Sequence, residues 1–219
     1  MTTEPPESKL LPRQQAIVPI AAHAAIGDMP RLNAALIRAL DAGLTVSDCK
    51  EILVQMYAYA GFPRSLNALA ELMRVLQTRK DQGIEDAPGR DPGPVPEGAA
   101  LLAAGTANQT QLAGAPVKGA LFDFAPAIDR YLKTHLFGDI FARDNLDWED
   151  RELATVAALA AMSGVEPQLQ AHMRLSMNVG VSAPQLRQVV QVLADTVSAD
   201  ASQRAQAALQ AHLSQEGHH

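Results

Sequence analysis

The sequence predicts an all-α protein made of two diverged copies of one helical unit, and three observations carry that reading. Hydrophobic residues make up 47% of the chain but aromatics only 4%. With so much of the apolar content in alanine, a core must come from helices packed closely through small side chains. Laid over itself with an ungapped shift of 137 (Gly43 onto Gly180), the chain also brings Gly27 onto Gly164, Pro30 onto Pro167, Leu32 onto Leu169 and Leu72 onto Leu209. Finally, apolar residues recur at helical spacing in both copies.

In copy one, placed at residues 1–80, Ala35, Leu36, Ala39 and Leu40 form one stripe, and Ile52, Leu53, Met56, Tyr57 and Ala60 another. Gly43 stands where a helix end wants a left-handed residue, and Thr45-Val-Ser-Asp48 reads as the cap of the next helix. Residues 81–119 form a Pro/Gly-rich linker: Pro88, Pro92, Pro94 and Pro96 alternate with glycine and acidic residues, and a polar stretch runs from Gly105 to Gln111. Copy two, at residues 120–215, begins with an amphipathic segment from about Leu121 to Arg143 that copy one lacks and that should pack across the repeat. Stripes of Leu153, Val156, Ala157, Ala160 and Ala161, then Leu186, Val189, Val190 and Leu193, follow it. Gly180 and Ser182-Ala-Pro-Gln185 repeat the turn and cap, with Pro184 in the first helical turn, where its missing N–H costs nothing. Residues 216–219, Glu-Gly-His-His, read as a purification-tag remnant and carry no function.

A formal net charge of -6 gives no clustered cationic surface, so neither nucleic acid nor an anionic membrane is expected as partner. No apolar run approaches the roughly 20 residues that span a bilayer, and the start of the chain has no signal-peptide pattern, so a cytoplasmic location is expected. The single Cys49 rules out intrachain dithiol chemistry. It falls in the first turn of a helix, where a thiol pKa can be lowered modestly, but it reads as a small helix residue with no role. No His-x3-His or carboxylate pair at ligand spacing occurs outside the tag, so no metal is expected.

Chemistry concentrates in copy two. His172, one turn from Leu169 and in line with Ser176, points inward, and a partly buried imidazole can exchange a proton near neutral pH. The alternative is a core histidine satisfied by a backbone carbonyl, which is also the reading for His23 on its Ala-rich stripe. Glu152 lies near a helix start, where the dipole stabilises a carboxylate whatever its role. Arg174 lies about 200° around the helix from His172 at ~100° per residue and faces solvent unless a pocket reaches it. Tyr57 and Tyr59, two apart, face different ways, so at most one of them lines a pocket.

The run Phe137-Gly-Asp-Ile-Phe-Ala-Arg143, then Leu146-Asp147, Arg151-Glu-Leu153, His172-Met-Arg174 and Asn178-Val-Gly180, resembles the carboxymuconolactone decarboxylase family. Tyr57-Ala-Tyr-Ala-Gly-Phe-Pro63 with Asn67-Ala-Leu69 resembles its closing helix-turn segment. The resemblance implies an alkylhydroperoxidase D-like all-α bundle, with the tandem copies forming a pseudo-dimer that assembles further into a homo-oligomer. The family's redox branch carries Cys-x-x-Cys ahead of a histidine; counting back from His172 puts the thiols at Val165 and Gln168, and in copy one at Asp28 and Arg31. Thiol peroxidase chemistry is thereby excluded.

The decarboxylase branch implies a lyase without cofactor, acting on a carboxylated lactone such as 4-carboxymuconolactone. His172 would be its acid/base, and Asp139 and Glu152 further catalytic candidates. Arg143, Arg174 and Tyr59 would bind substrate. Asp139 stands where those enzymes tend to have the longer Glu. With Ala35 at the position of His172, copy one is expected to supply the opposite wall of one pocket per chain. A scaffold or small-ligand-binding member of the fold is the alternative, and lactone hydrolysis or isomerisation would need the same histidine.

Overall fold

The computed structural model describes residues 9–216, and among these no strand occurs. In chain order the elements are α1 (Pro12–Ile26), α2 (Met29–Asp41), α3 (Val46–Gln55), α4 (Tyr57–Ala60), α5 (Phe62–Asp81), α6 (Gly98–Ala113), α7 (Ala120–Phe124) and α8 (Pro126–Tyr131). A π-helical stretch (Leu132–Ile140) continues from α8, followed by α9 (Trp148–Ala161), α10 (Glu166–Asn178), α11 (Ala183–Thr196) and α12 (Ala199–Glu216). The shift of 137 carries α2 onto α10 end for end, and it carries α3 with α4 onto the unbroken α11. The local signals explain the agreement. Gly43 and Gly180 take φ of 96° and 115°, and each is followed by a reciprocal cap. Asp48 N–H donates to Thr45 Oγ1 (3.1 Å) and Thr45 N–H to Asp48 Oδ2 (2.9 Å). Ser182 N–H donates to Gln185 Oε1 (2.8 Å) in the same way.

The copies meet along α1 and α9, which are equivalent helices. Ile17, Ile20, Ala21 and Ala24 on one and Leu153, Val156, Ala157 and Ala160 on the other are all fully buried. Alanine on both faces lets the helices approach closely, so the two copies share one continuous core. Arg13 Nη1 donates to Asp150 Oδ2 at 2.6 Å. Since Asp150 is the residue 137 positions beyond Arg13, a pseudo-two-fold axis runs through this seam. The chain is therefore an all-α helical bundle folded as a pseudo-dimer, the arrangement that the alkylhydroperoxidase D-like resemblance implies.

The stretch 81–119, expected to be a surface linker, is one only in part. Its first portion is irregular and crosses back over copy one, where Val46 N–H donates to Ala87 O (2.9 Å) and Ser47 N–H to Pro88 O (3.0 Å). These bonds satisfy donors at the open start of α3. Residues 98–113, however, form α6. The helix was hidden because its alanines and threonines carry no apolar stripe. It docks instead through glycine: a Cβ on Gly105 would collide with the Lys133 carbonyl, and one on Gly138 would come within 2.8 Å of Leu101 Cδ1. Asn108 Nδ2 then donates to Phe137 O (2.8 Å). Gly105→Ala is expected to lose about 1–3 kcal/mol through overpacking, read as a lower urea midpoint at unchanged m-value; an unchanged midpoint would show that α6 is free to move away.

Leu112, Leu136, Phe137, Ile140, Phe141 and Leu175 form a second small core where α6 and the π-helix meet α10. The amphipathic segment thus does pack across copy two. Cys49 is fully buried, and burial, then the charges of Asp48 and Asp86, push its thiol up to about 12. Enclosure overrides the helix start. His23 is a core residue with Nε2 on the Thr196 carbonyl at 3.2 Å, and burial lowers its pKa. Among the described residues no helix is long and apolar enough to cross a membrane. The first eight residues and Gly217–His219, read above for a leader and a tag, lie outside the described residues.

Candidate active site

Three helices bring three side chains together. The inward stripe of α10 runs Leu169, His172, Met173 and Ser176, all buried, so the imidazole is directed at α9. There Glu152, fully buried, accepts from His172: Nδ1 lies 2.8 Å from Oε2. A carboxylate can only accept, so it holds the proton on Nδ1 and leaves Nε2 for other work. The second oxygen, Oε1, has no hydrogen-bond partner among the described residues. Tyr59, from α4 of copy one, packs edge-on to the His172 ring, with centroids 5.7 Å apart at 78°. Its enclosed hydroxyl makes no hydrogen bond of good geometry. Desolvation, and then the negative charge of Glu152, raise its pKa, so it remains a neutral phenol. Ser176, on the same stripe, donates to the His172 carbonyl (2.7 Å) and leaves the ring alone.

His172 and Tyr59 line a cavity of about 480 Å³. The π-helix supplies Leu132, Leu136 and Phe137 to its wall, and copy two supplies Leu159 and Leu175. Val165 and Gln168, where the redox branch would carry thiols, also face it. Arg174 is exposed at the margin of this cavity and makes no hydrogen bond or ion pair with any described residue. A pocket does reach the Arg174 side of α10.

Two of the expected site residues are placed elsewhere. Asp139 pairs with His135 (3.0 Å), both half exposed on the outside of the π-helix, and does not line the cavity. Arg143 grips Glu51 with two bonds, Nε to Oε1 at 2.8 Å and Nη2 to Oε2 at 3.0 Å. It belongs to a buried cluster in which Arg151, fully enclosed, reaches Glu51 Oε1 (2.9 Å), Gln55 Oε1 (3.2 Å) and the Arg143 carbonyl (2.9 Å). Its guanidinium is thus held by Glu51, and Arg143 does not line the cavity. Tyr57 turns the other way from Tyr59, stacking on Phe62 with centroids 4.5 Å apart beside a separate shallow groove.

The pseudo-two-fold explains why the constellation occurs once. Residues 137 positions away from Glu152, His172 and Tyr59 are Gln15, Ala35 and Thr196, none of which repeats the chemistry. The sequence also concealed contributors. Glu51 and Arg151, buried charged residues of the neighbouring cluster, were passed over as well. Gln109, 4% exposed and in the cavity wall, sits on the helix mistaken for linker and had no signal.

A family model described as the carboxymuconolactone decarboxylase family matches residues 2–73 and 126–211, one segment in each copy, and omits 74–125. No curated protein matches the chain. With the model covering more than half of the sequence and both copies of the repeat, the chain belongs to the carboxymuconolactone decarboxylase family.

Proposed function

We propose that the protein is a lyase that decarboxylates a carboxylated lactone, with His172 as the proton donor, and that γ-carboxymuconolactone is the parent compound of its substrates. The observation that carries this reading is the His172–Glu152 pair at 2.8 Å in the wall of a mostly apolar cavity. In the reaction, the bond between the ring carbon and the carboxylate breaks. CO2 leaves, and the electron pair is taken up by the lactone carbonyl as a dienolate. No metal or organic cofactor is needed, because the substrate is its own electron sink. Ion-paired to Glu152, the His172 imidazolium donates its Nε2 proton to a ring carbon of the dienolate and regains one from water. Apolar surroundings favour the step, since the charge they must accommodate is more dispersed in the dienolate than in the carboxylate. Arg174, unpaired at the margin, attracts the acid to the cavity. A scaffold would require neither the buried dyad nor the unpaired guanidinium, and that favours the enzymatic reading.

Incubation with γ-carboxymuconolactone is expected to remove the ultraviolet absorbance of the unsaturated lactone, with CO2 released in equal amount. Absorbance lost without CO2 would indicate hydrolysis or isomerisation, and no change in either would remove this compound as a substrate.

A further inference from the structure

The His172 cavity has a wall that the family match does not cover, and in it stands a buried amide with nothing to bind. Gln109 is 4% exposed, yet its side chain makes no hydrogen bond to any described residue. Its neighbours on α6 are satisfied: Asn108 Nδ2 donates to the Phe137 carbonyl at 2.8 Å, and Thr110 Oγ1 to the Thr106 carbonyl at 2.8 Å. A primary amide has two donors and an acceptor to place, and those of Gln109 are not among the sealed unpartnered atoms, so they open on the cavity where a bound molecule can meet them. Around it Val117, Leu121, Phe122 and Phe137 present only hydrocarbon to the same space.

We propose that Gln109 donates a hydrogen bond from Nε2 to the carbonyl oxygen of the bound molecule, a lactone acid whose body lies against this hydrocarbon wall. The proposal rests on reading this cavity as the substrate site. A carbonyl suits Gln109 for a further reason: as the dienolate forms, that oxygen takes on negative charge, and an amide donor already in place strengthens its bond without reorganising. Since α6 and α7 fall within the unmatched residues 74–125, this determinant is a property of this chain rather than of the shared bundle.

γ-Undecalactone, uncharged and carrying a lactone carbonyl on an alkyl chain, is a suitable probe for calorimetric titration of the full-length protein. Wild type should bind it, Gln109→Leu should bind about tenfold more weakly, and Gln109→Met should behave likewise with circular dichroism unchanged. The carbonyl stretching band of the bound lactone should lie at lower wavenumber in wild type than in either Gln109 variant, an effect that a purely structural glutamine could not produce. The proposal is overturned if wild type does not bind γ-undecalactone, or if both Gln109 variants bind it as wild type does with the carbonyl band unmoved. Failure of the lyase reading would appear separately: Gln109-dependent binding together with no release of CO2 from any carboxylated lactone.

Discussion

His172→Gln protein is expected to decarboxylate γ-carboxymuconolactone roughly 10²–10⁴-fold more slowly than wild type, with its helical circular dichroism intact. Glutamine is the informative replacement because its amide can still donate to Glu152, so the fully buried carboxylate is not left bare. Only the capacity to release a proton is removed. Glu152→Gln probes the other half of the pair: it retains a hydrogen bond to Nδ1 but takes away the charge that stabilises the imidazolium, and it should lower turnover in the same direction by less. Full activity in the His172 variant would reject this ring as the acid. Full activity in the Glu152 variant alone would reduce the carboxylate to a packing role.

The largest loss of stability is expected from Glu51→Ala, at about 3–5 kcal/mol. Arg151 has no exposed side-chain surface, and Glu51 is the carboxylate that neutralises it. Without it the guanidinium keeps Gln55 and a carbonyl but is buried as an uncompensated charge, and the thermal midpoint should fall by about 10 °C. The pH dependence follows from the same contacts. Burial by itself would raise the Glu51 pKa, but the hydrogen bond from Arg143 and the charge of Arg151 hold it below the ordinary carboxylate value. The folded chain therefore releases this proton more readily than the unfolded one. The resulting stability is present above the unfolded pKa of about 4.3 and is lost as pH falls through the folded value. Glu51→Gln should flatten that acid limb. Replacing Glu51 by leucine and Arg151 by methionine together should recover much of what Glu51→Ala loses, because the uncompensated charge is then gone.

What the sequence disclosed and what it withheld divide along physical lines. Repeat register, helix ends and caps were legible because glycine at positive φ and the Thr45/Asp48 and Ser182/Gln185 pairs act within one turn of chain. The inward aim of His172 was legible from the stripe it shares with Leu169 and Ser176. Asp139 was brought to the site by the family resemblance alone, and no local pattern showed that the π-helix Leu132–Ile140 turns it outward onto His135. Arg143 was misassigned because its partner lies 92 residues earlier, and a guanidinium looks the same in sequence whether it meets a substrate or a glutamate. Helix α6, and Gln109 with it, was missed because it docks through the absence of a side chain at Gly105 rather than through an apolar pattern. For Cys49 the helix start was legible, but the tertiary enclosure that raises its thiol was not.

The seam between α1 and α9 has a consequence for how such a chain can change over generations. In a dimer of identical subunits one codon governs both equivalent sites, so a residue lost from one is lost from the other. Joining the copies end to end gives each half its own codons, and here they have diverged in kind: one half carries His172 and Glu152, while the other retains Tyr59 and has Ala35 and Gln15 at the matching positions. Because Tyr59 is pressed against the His172 ring from across the seam, the half without the histidine is no vestige. Selection acting on the one candidate site constrains both halves, and neither could be discarded by the other as a spare.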